Sequence, residues 1–204
     1  MKKFVFLLLT FLGSLLTFAQ ENENLESQFL KNTRQLIYDG NRSGEGYFSD
    51  DGTKLIFQSE REPDNPFYQI YILDFETGDI NRVSPGHGKT TCAYFQWNGK
   101  RVQYASSHLD PEARKKQKDE LDFRASGEKR RYAWDYEPEM DIFSSLPDGS
   151  DIKQLTTELG YDAEGSYSPD GKLIVFSSNR YAYNSKLTKE EEQKKEVDPS
   201  YFCD

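Results

Sequence analysis

The side chains able to do covalent or metal chemistry are few and widely spaced. The only histidines are His87 and His108. A zinc site wants three or four ligands, usually at short His or Cys spacings. Neither histidine sits in such a pattern, so no metal and no cofactor is expected, and both read as ordinary loop and strand-end residues. No serine lies in the Gly-x-Ser-x-Gly elbow that presents a hydrolase nucleophile. The two cysteines, Cys92 and Cys203, are too few for a disulfide framework. Cys92 has no recognisable base nearby in sequence and reads as a buried, inert thiol. This stretch is therefore expected to be non-catalytic.

What remains is the chemistry of recognition. Glu45, Cys92 and Glu164 each stand seven residues before a turn glycine, Gly52, Gly99 and Gly171. The two carboxylates could face a cation or a basic partner, or serve only to solvate their loops. Between residues 112 and 131, eight basic residues outnumber five acidic ones, opposite in sign to the rest of the chain. Arg130 and Arg131 close that segment, and Tyr132, Trp134 and Tyr136 follow. Tyr and Trp are residues that dominate binding hot spots. The candidate binding residues are Arg42, Glu45, His87, Lys89, Arg130, Arg131, Trp134, Asp162 and Glu164.

The elements that position them follow from a repeat. Residues 46–52 (GYFSDDG), 93–99 (AYFQWNG) and 165–171 (GSYSPDG) align, and each precedes an apolar run, 54–59 (KLIFQS), 101–106 (RVQYAS) and 173–178 (LIVFSS). Each copy reads as strand, tight turn, strand, with glycine where the backbone needs positive φ. Near-continuous apolar runs predict strands buried on both faces. Further strand pairs follow at 69–74 and 80–84, and at 141–145 and 152–156, with a fainter closing strand at 33–37. From Leu36 to Gly52, Val83 to Gly99 and Leu155 to Gly171 the interval is 16 residues each time. Four antiparallel strands repeating every 47 residues or so, from Gly52 to Gly99, make the grammar of a propeller blade. The fold class expected is all-β: about three four-stranded blades of a larger ring, the third incomplete, with two short helical insertions.

The segment 168–180 (SPDGKLIVFSSNR), with 69–72 (QIYI) and 153–156 (KQLT), resembles the WD-like repeats of TolB-type propellers, over nearly all of the chain after its leader. The resemblance implies an exported binding scaffold that partners proteins or peptides in the cell envelope. It also allows an alternative: an accessory propeller beside a zinc aminopeptidase-like or prolyl-oligopeptidase-like domain beyond residue 204. A propeller acting as a polysaccharide lyase would need more His and acidic ligands than this stretch carries. The insertions here replace the plain connections of the TolB family, and its partner residues do not carry over.

Export is read from residues 1–19. Lys2 and Lys3 precede an apolar run too short for a membrane span, which needs roughly 20 residues, and Thr17 and Ala19 make a small-x-small exit. That is the pattern of a secretory signal peptide cut after Ala19, with a periplasmic or extracellular destination. Cleavage leaves 24 basic residues against 35 acidic ones, a net charge of −11 that disfavours nucleic-acid binding.

The expected organisation is a linker at 20–32 and a partial propeller at 33–204. Blade 1 covers about 45–84, and blade 2 about 92–156 with an insertion at 110–135. Blade 3 starts near 163, with an insertion at 184–199. Asp110 and Pro111 predict a helix start, with the helix over about 111–122. The box formed by Thr188 and Glu191 predicts a second helix over 190–196. Residues 199–204 resemble the approach to a third strand, so further blades are expected downstream. In an up-and-down blade, the loops 39–45, 84–91 and 157–164 share one face with the insertions, and this loop face is the expected binding surface.

Overall fold

The computed structural model describes residues 25–131 and 133–203; the signal peptide expected at residues 1–19 and Tyr132 lie outside the described residues. The chain divides into two units, Met1–Tyr38 and Asp39–Asp204. In the first, a 3-10 turn at Leu25–Gln28 leads into chain that forms no strand. The closing strand expected at 33–37 is thus not formed there. Its apolar pattern is strand-like, but a strand exists only through ladder hydrogen bonds. The local bond is instead side chain to backbone, from Gln35 Nε2 to the Ile37 carbonyl at 2.6 Å.

The second unit is built from antiparallel sheets that run up and down in sequence order. The first contains β1 (Arg42–Phe48), β2 (Lys54–Glu60), β3 (Gln69–Asp74) and β4 (Ile80–Arg82). The second contains β5 (Thr90–Phe95), β6 (Val102–Ser106), β7 (Asp141–Ser145) and β8 (Lys153–Gln154), with helix α1 (Ala113–Ser126) in the connection from β6 to β7. A hairpin of β9 (Asp162–Tyr167) and β10 (Ile174–Ser178) begins a third, followed by α2 (Tyr181–Asn184) and α3 (Lys189–Val197).

The turn glycines do what their repeat implies. Gly52, Gly99 and Gly171 have φ of 70°, 64° and 67°, and each donates its N–H back to residue 49, 96 or 168 at 2.7–2.9 Å. Successive turns also lie side by side, since Gln96 Nε2 donates to the Gly171 carbonyl at 3.3 Å. A second repeated device was not expected. At Glu45, Cys92 and Glu164, φ is 45°, 54° and 52°, and at each the register of the inner strand against its neighbour shifts. These are β-bulges, which bend a strand and re-aim a side chain. Non-glycine residues in this region cost roughly 1–2 kcal/mol each, so three at equivalent positions mark a feature that the packing enforces.

Sheets one and two pack face to face. Ile56, Ile70, Ile72 and Val83 from the first meet Ala93, Phe95, Val102, Tyr104 and Phe143 from the second. The second sheet packs on the hairpin through Ala105, Met140, Ile142, Tyr161 and Ala163, with Phe176 and Cys203 alongside. Strands β2, β3 and β6 are accordingly buried almost throughout. β10 departs from that expectation, because Leu173 beside it is 72% exposed and Val175 within it 73%. It has one packed face instead of two.

The helices also refine what sequence implied. Asp110 does not cap α1. Its Oδ1 accepts the Glu112 N–H at 2.8 Å and its other oxygen meets Lys116 at 2.7 Å. That turn delays the helix to Ala113, and α1 runs on to a left-handed Gly127. The box at Thr188 and Glu191 does form and starts α3 at Lys189. Residues Pro199–Phe202 adopt a 3-10 turn with Phe202 buried.

Gln103 breaks the apolar repeat at the position held by Ile56 and Val175 in the other copies. It is fully buried, and neither amide atom has a hydrogen-bond partner. An unsatisfied buried polar group costs about 1–3 kcal/mol. Gln103→Leu is therefore expected to raise the unfolding free energy from urea titration by about 1–3 kcal/mol; an unchanged or lower midpoint would show that the amide is satisfied in solution.

Candidate functional site

Helix α1 creates a concavity by bridging the first two sheets. Its largely polar sequence offers no continuous apolar stripe, so polar anchors hold it. The buried Gln117 accepts the Gly88 N–H at 2.8 Å and donates to the Asp64 carbonyl at 3.2 Å. Arg124 donates to Glu60 Oε1 at 2.6 Å and to the Pro66 carbonyl at 3.0 Å. The helix is thereby tied to the end of β2, to the β2–β3 loop and to the β4–β5 connection.

Beside it opens a recess of about 220 Å³ whose lining includes Arg42, Phe67, Tyr68, Lys89, Arg130 and Trp134. Four candidate residues, Arg42, Lys89, Arg130 and Trp134, thus come together from three distant segments. A ladder of alternating charge runs along it. Arg42 meets Glu60 at 2.7 Å, Glu60 meets Arg124 at 2.6 Å, Arg124 meets Glu120 at 2.8 Å, and Glu120 meets Arg130 at 2.5 Å. Burial acts to raise the Glu60 carboxyl, but bonds from Arg124, Asn41 and Arg42 outweigh it and hold it below its usual value of 4.5. Lys89 pairs with Asp135 and with Glu137 Oε1, the latter at 2.8 Å, and lies over the Phe67 ring.

A second recess, of about 270 Å³, lies where the inner strands meet. It is lined by Glu45, Tyr47, Cys92, Tyr94, Glu164 and Ser166, among others. Tyr47 and Tyr94 contact each other there, with ring centroids 4.9 Å apart. The bulges bring Glu45, Cys92 and Glu164 to it. Burial first, with the two glutamates adding to it, pushes the Cys92 thiol up to about 12 against an opposing bond from Thr91. The thiolate a nucleophile needs is suppressed. The two recesses are linked: Trp134 Nε1 donates to Tyr161 Oη at 2.9 Å, and Tyr161 donates to Glu164 Oε1 at 3.0 Å.

The other candidate residues lie apart. Asp162 is fully buried within β9, where Arg180 and Ser178 take its carboxylate; it braces the hairpin and presents nothing to a ligand. His87 sits edge-on to His108 and contacts its carbonyl through Nε2 at 3.1 Å. Burial, then the neighbouring His87, drives His108 down to about 4. Among the described residues, no group of three or more His, Cys, Asp and Glu is arranged to hold a metal. Arg131 is exposed and lines an adjoining depression of about 600 Å³ that shares Phe67, Lys89, Arg130 and Trp134 with the first recess.

Sequence reasoning missed Phe67, Tyr68, Glu60, Glu120, Arg124 and Met140. The Glu120–Arg124 spacing of four residues was a visible helix pair. Nothing local marked the others, which reach the recess only because α1 folds over the loop between β2 and β3.

Four-stranded antiparallel meanders, stacked face to face with their bulged first strands gathered together, are the architecture of β-propeller blades. Several solved structures are similar. A protein assigned as TolB from Agrobacterium tumefaciens matches with a TM-score of 0.49 and 19% identity, over 70% of this chain and 40% of that one. TolB from Acinetobacter baumannii gives 0.46 and 18%, over 71% and 28%. The tricorn protease gives 0.44 and 14%, over 68% and 11%. The chain spans less than half the length of these proteins, and the blade assignment rests on the strand pairing itself. No family model matches the chain, and no curated protein does. Among the described residues, no helix is long and apolar enough to cross a membrane.

The Glu60 carboxyl is held low, so the stability it contributes is present above pH 4.5 and lost as pH falls through its lowered value. Glu60→Gln is expected to be less stable than wild type at neutral pH, with the gap narrowing on acidification below 4.5; a gap independent of pH would refute this account. At Cys92, thiol-directed alkylation at pH 8 in a Cys203→Ser background is expected to proceed only after unfolding. Rapid labelling of the native chain would contradict the raised thiol.

Proposed function

We propose that the chain is an exported, non-catalytic propeller whose loop face binds a protein or peptide in the cell envelope, with the recess beside α1 as the contact site. One observation carries this reading: Arg42, Lys89, Arg130 and Trp134, from separate connections and strand ends, converge on one concave surface. Aromatic faces with charged groups around them are what a partner's side chains need, since Trp, Tyr and Arg supply most hot-spot energy. Rigid sheets beneath hold the loops, so little ordering entropy is lost on binding. Export rests on the leader pattern at residues 1–19, and the absence of a catalytic role on the unreactive settings expected for Cys92 and the histidines.

The test is a panel of short immobilised peptides probed with fluorescently labelled chain. A subset of peptides should be retained, and their signal should fall at least several-fold for Trp134→Ala and for Arg130→Ala. Arg130 is 62% exposed at its side chain, so its variant should melt as wild type does. Retention of no peptide above scrambled controls would overturn the reading, as would undiminished binding by both variants.

A further inference from the structure

The charge ladder has an uneven count. Three guanidiniums, those of Arg42, Arg124 and Arg130, face two carboxylates, Glu60 and Glu120. Alternation places an arginine at each end, and the two ends are the exposed members, at 48% and 62%, while Glu60 is 3% and Glu120 10% exposed. The middle arginine is fully committed, with Nε, Nη1 and Nη2 all donating to protein acceptors. Arg42 uses Nε and Nη2 on Glu60, and Arg130 uses Nη2 on Glu120. Each terminal guanidinium keeps donor positions directed at no carboxylate of its own. Arg131 adjoins them, exposed and without an ion pair among the described residues.

The opposite wall of the recess does not cancel this excess at the surface. Lys89 there pairs with Asp135 and Glu137, while Lys116, on α1 in the adjoining depression, pairs with Asp110, Glu137 and Glu139. Glu137 and Asp110 are buried, at 5% and 3% exposure of their side chains, and a ligand cannot reach them. Asp135 is exposed but already engaged by Lys89. The reachable positive charge is thus concentrated at the two ends of the ladder, in a protein that is otherwise strongly acidic. Apolar surface lies between, from Trp134, Phe67, Tyr68 and Met140.

We infer that this recess selects an acidic peptide segment, with side-chain carboxylates engaging Arg42 and Arg130 and an adjacent apolar side chain packing on Trp134. This rests on the binding reading above and names its ligand chemistry. Arg130 can meet a ligand carboxylate with the donors it does not spend on Glu120, keeping Nη2 on that largely buried carboxylate. A planar guanidinium with free donors matches a carboxylate in two-point geometry.

The experiment uses two N-acetylated, C-amidated peptides, Leu-Glu-Phe-Glu-Leu and Leu-Gln-Phe-Gln-Leu, which differ only in side-chain charge. Binding is read by Trp134 fluorescence in a Trp97→Phe background, since Trp97 lies outside the recess. The Glu peptide is expected to bind about tenfold more tightly, the scale of one charge-assisted hydrogen bond, and to weaken with added salt. The ratio should fall towards unity in Arg130→Gln and in Arg42→Gln, each checked for an unchanged melting midpoint. Equal affinity for the two peptides overturns the inference, and so does a Glu preference that survives both substitutions in a folded protein. If neither peptide binds while the panel above retains other peptides through Trp134, the acidic preference fails and the binding reading stands. If the panel is silent as well, both fail.

Discussion

Everything in the second unit depends on sheets that must bury both faces. A lone four-stranded sheet with Ile56, Ile70 and Ile72 on it would leave apolar side chains in water, at about 25 cal/mol for each Å² exposed. Stacking the next sheet against it removes that cost and sets the repeat, since each blade supplies the cover for the one before. The innermost strands are then forced close together. The bulges at Glu45, Cys92 and Glu164 are the local answer to that crowding, bending each strand at the same residue and accepting an unfavourable φ three times.

That constraint also explains where recognition chemistry can sit. The turns on one face are short, and their hydrogen bonds are spent on closing the hairpins and contacting the neighbouring turn. The loops on the other face are longer and take the insertion. α1 carries almost no apolar surface, so it docks through Gln117 and Arg124, and this polar docking leaves a gap instead of a filled core. The recess is a by-product of how the helix is held. Its ionic ladder both fastens the helix and presents arginines at its open ends, so anchoring and recognition share the same side chains. The bond from Trp134 to Tyr161 and on to Glu164 joins this recess to the one between the inner strands.

The blade pattern was legible because its causes are local. The turn glycines, the apolar strands behind them and the capping box at Thr188 act within a few residues, and the structure repeats each of them. The failures have an equally physical origin. Asp110 looks like a helix cap, yet its neighbour in space, Lys116, and its own turn decide otherwise. The strand-like 33–37 forms no ladder among the described residues. Asp162 reads as an exposed loop acid but is the buried partner of Arg180, a pairing across a hairpin that no spacing rule signals.

By itself, then, the order of residues determined the element types, the repeat and the face on which long connections gather, because turn chemistry and period-two burial are short-range properties. Tertiary structure alone decided which side chains meet. Arg42 and Arg130 are 88 positions apart, and they line one recess only because a helix inserted in the second blade folds over a loop of the first. Contacts of that kind depend on distances between elements that packing sets, and packing is a property of the whole stack, not of any segment within it.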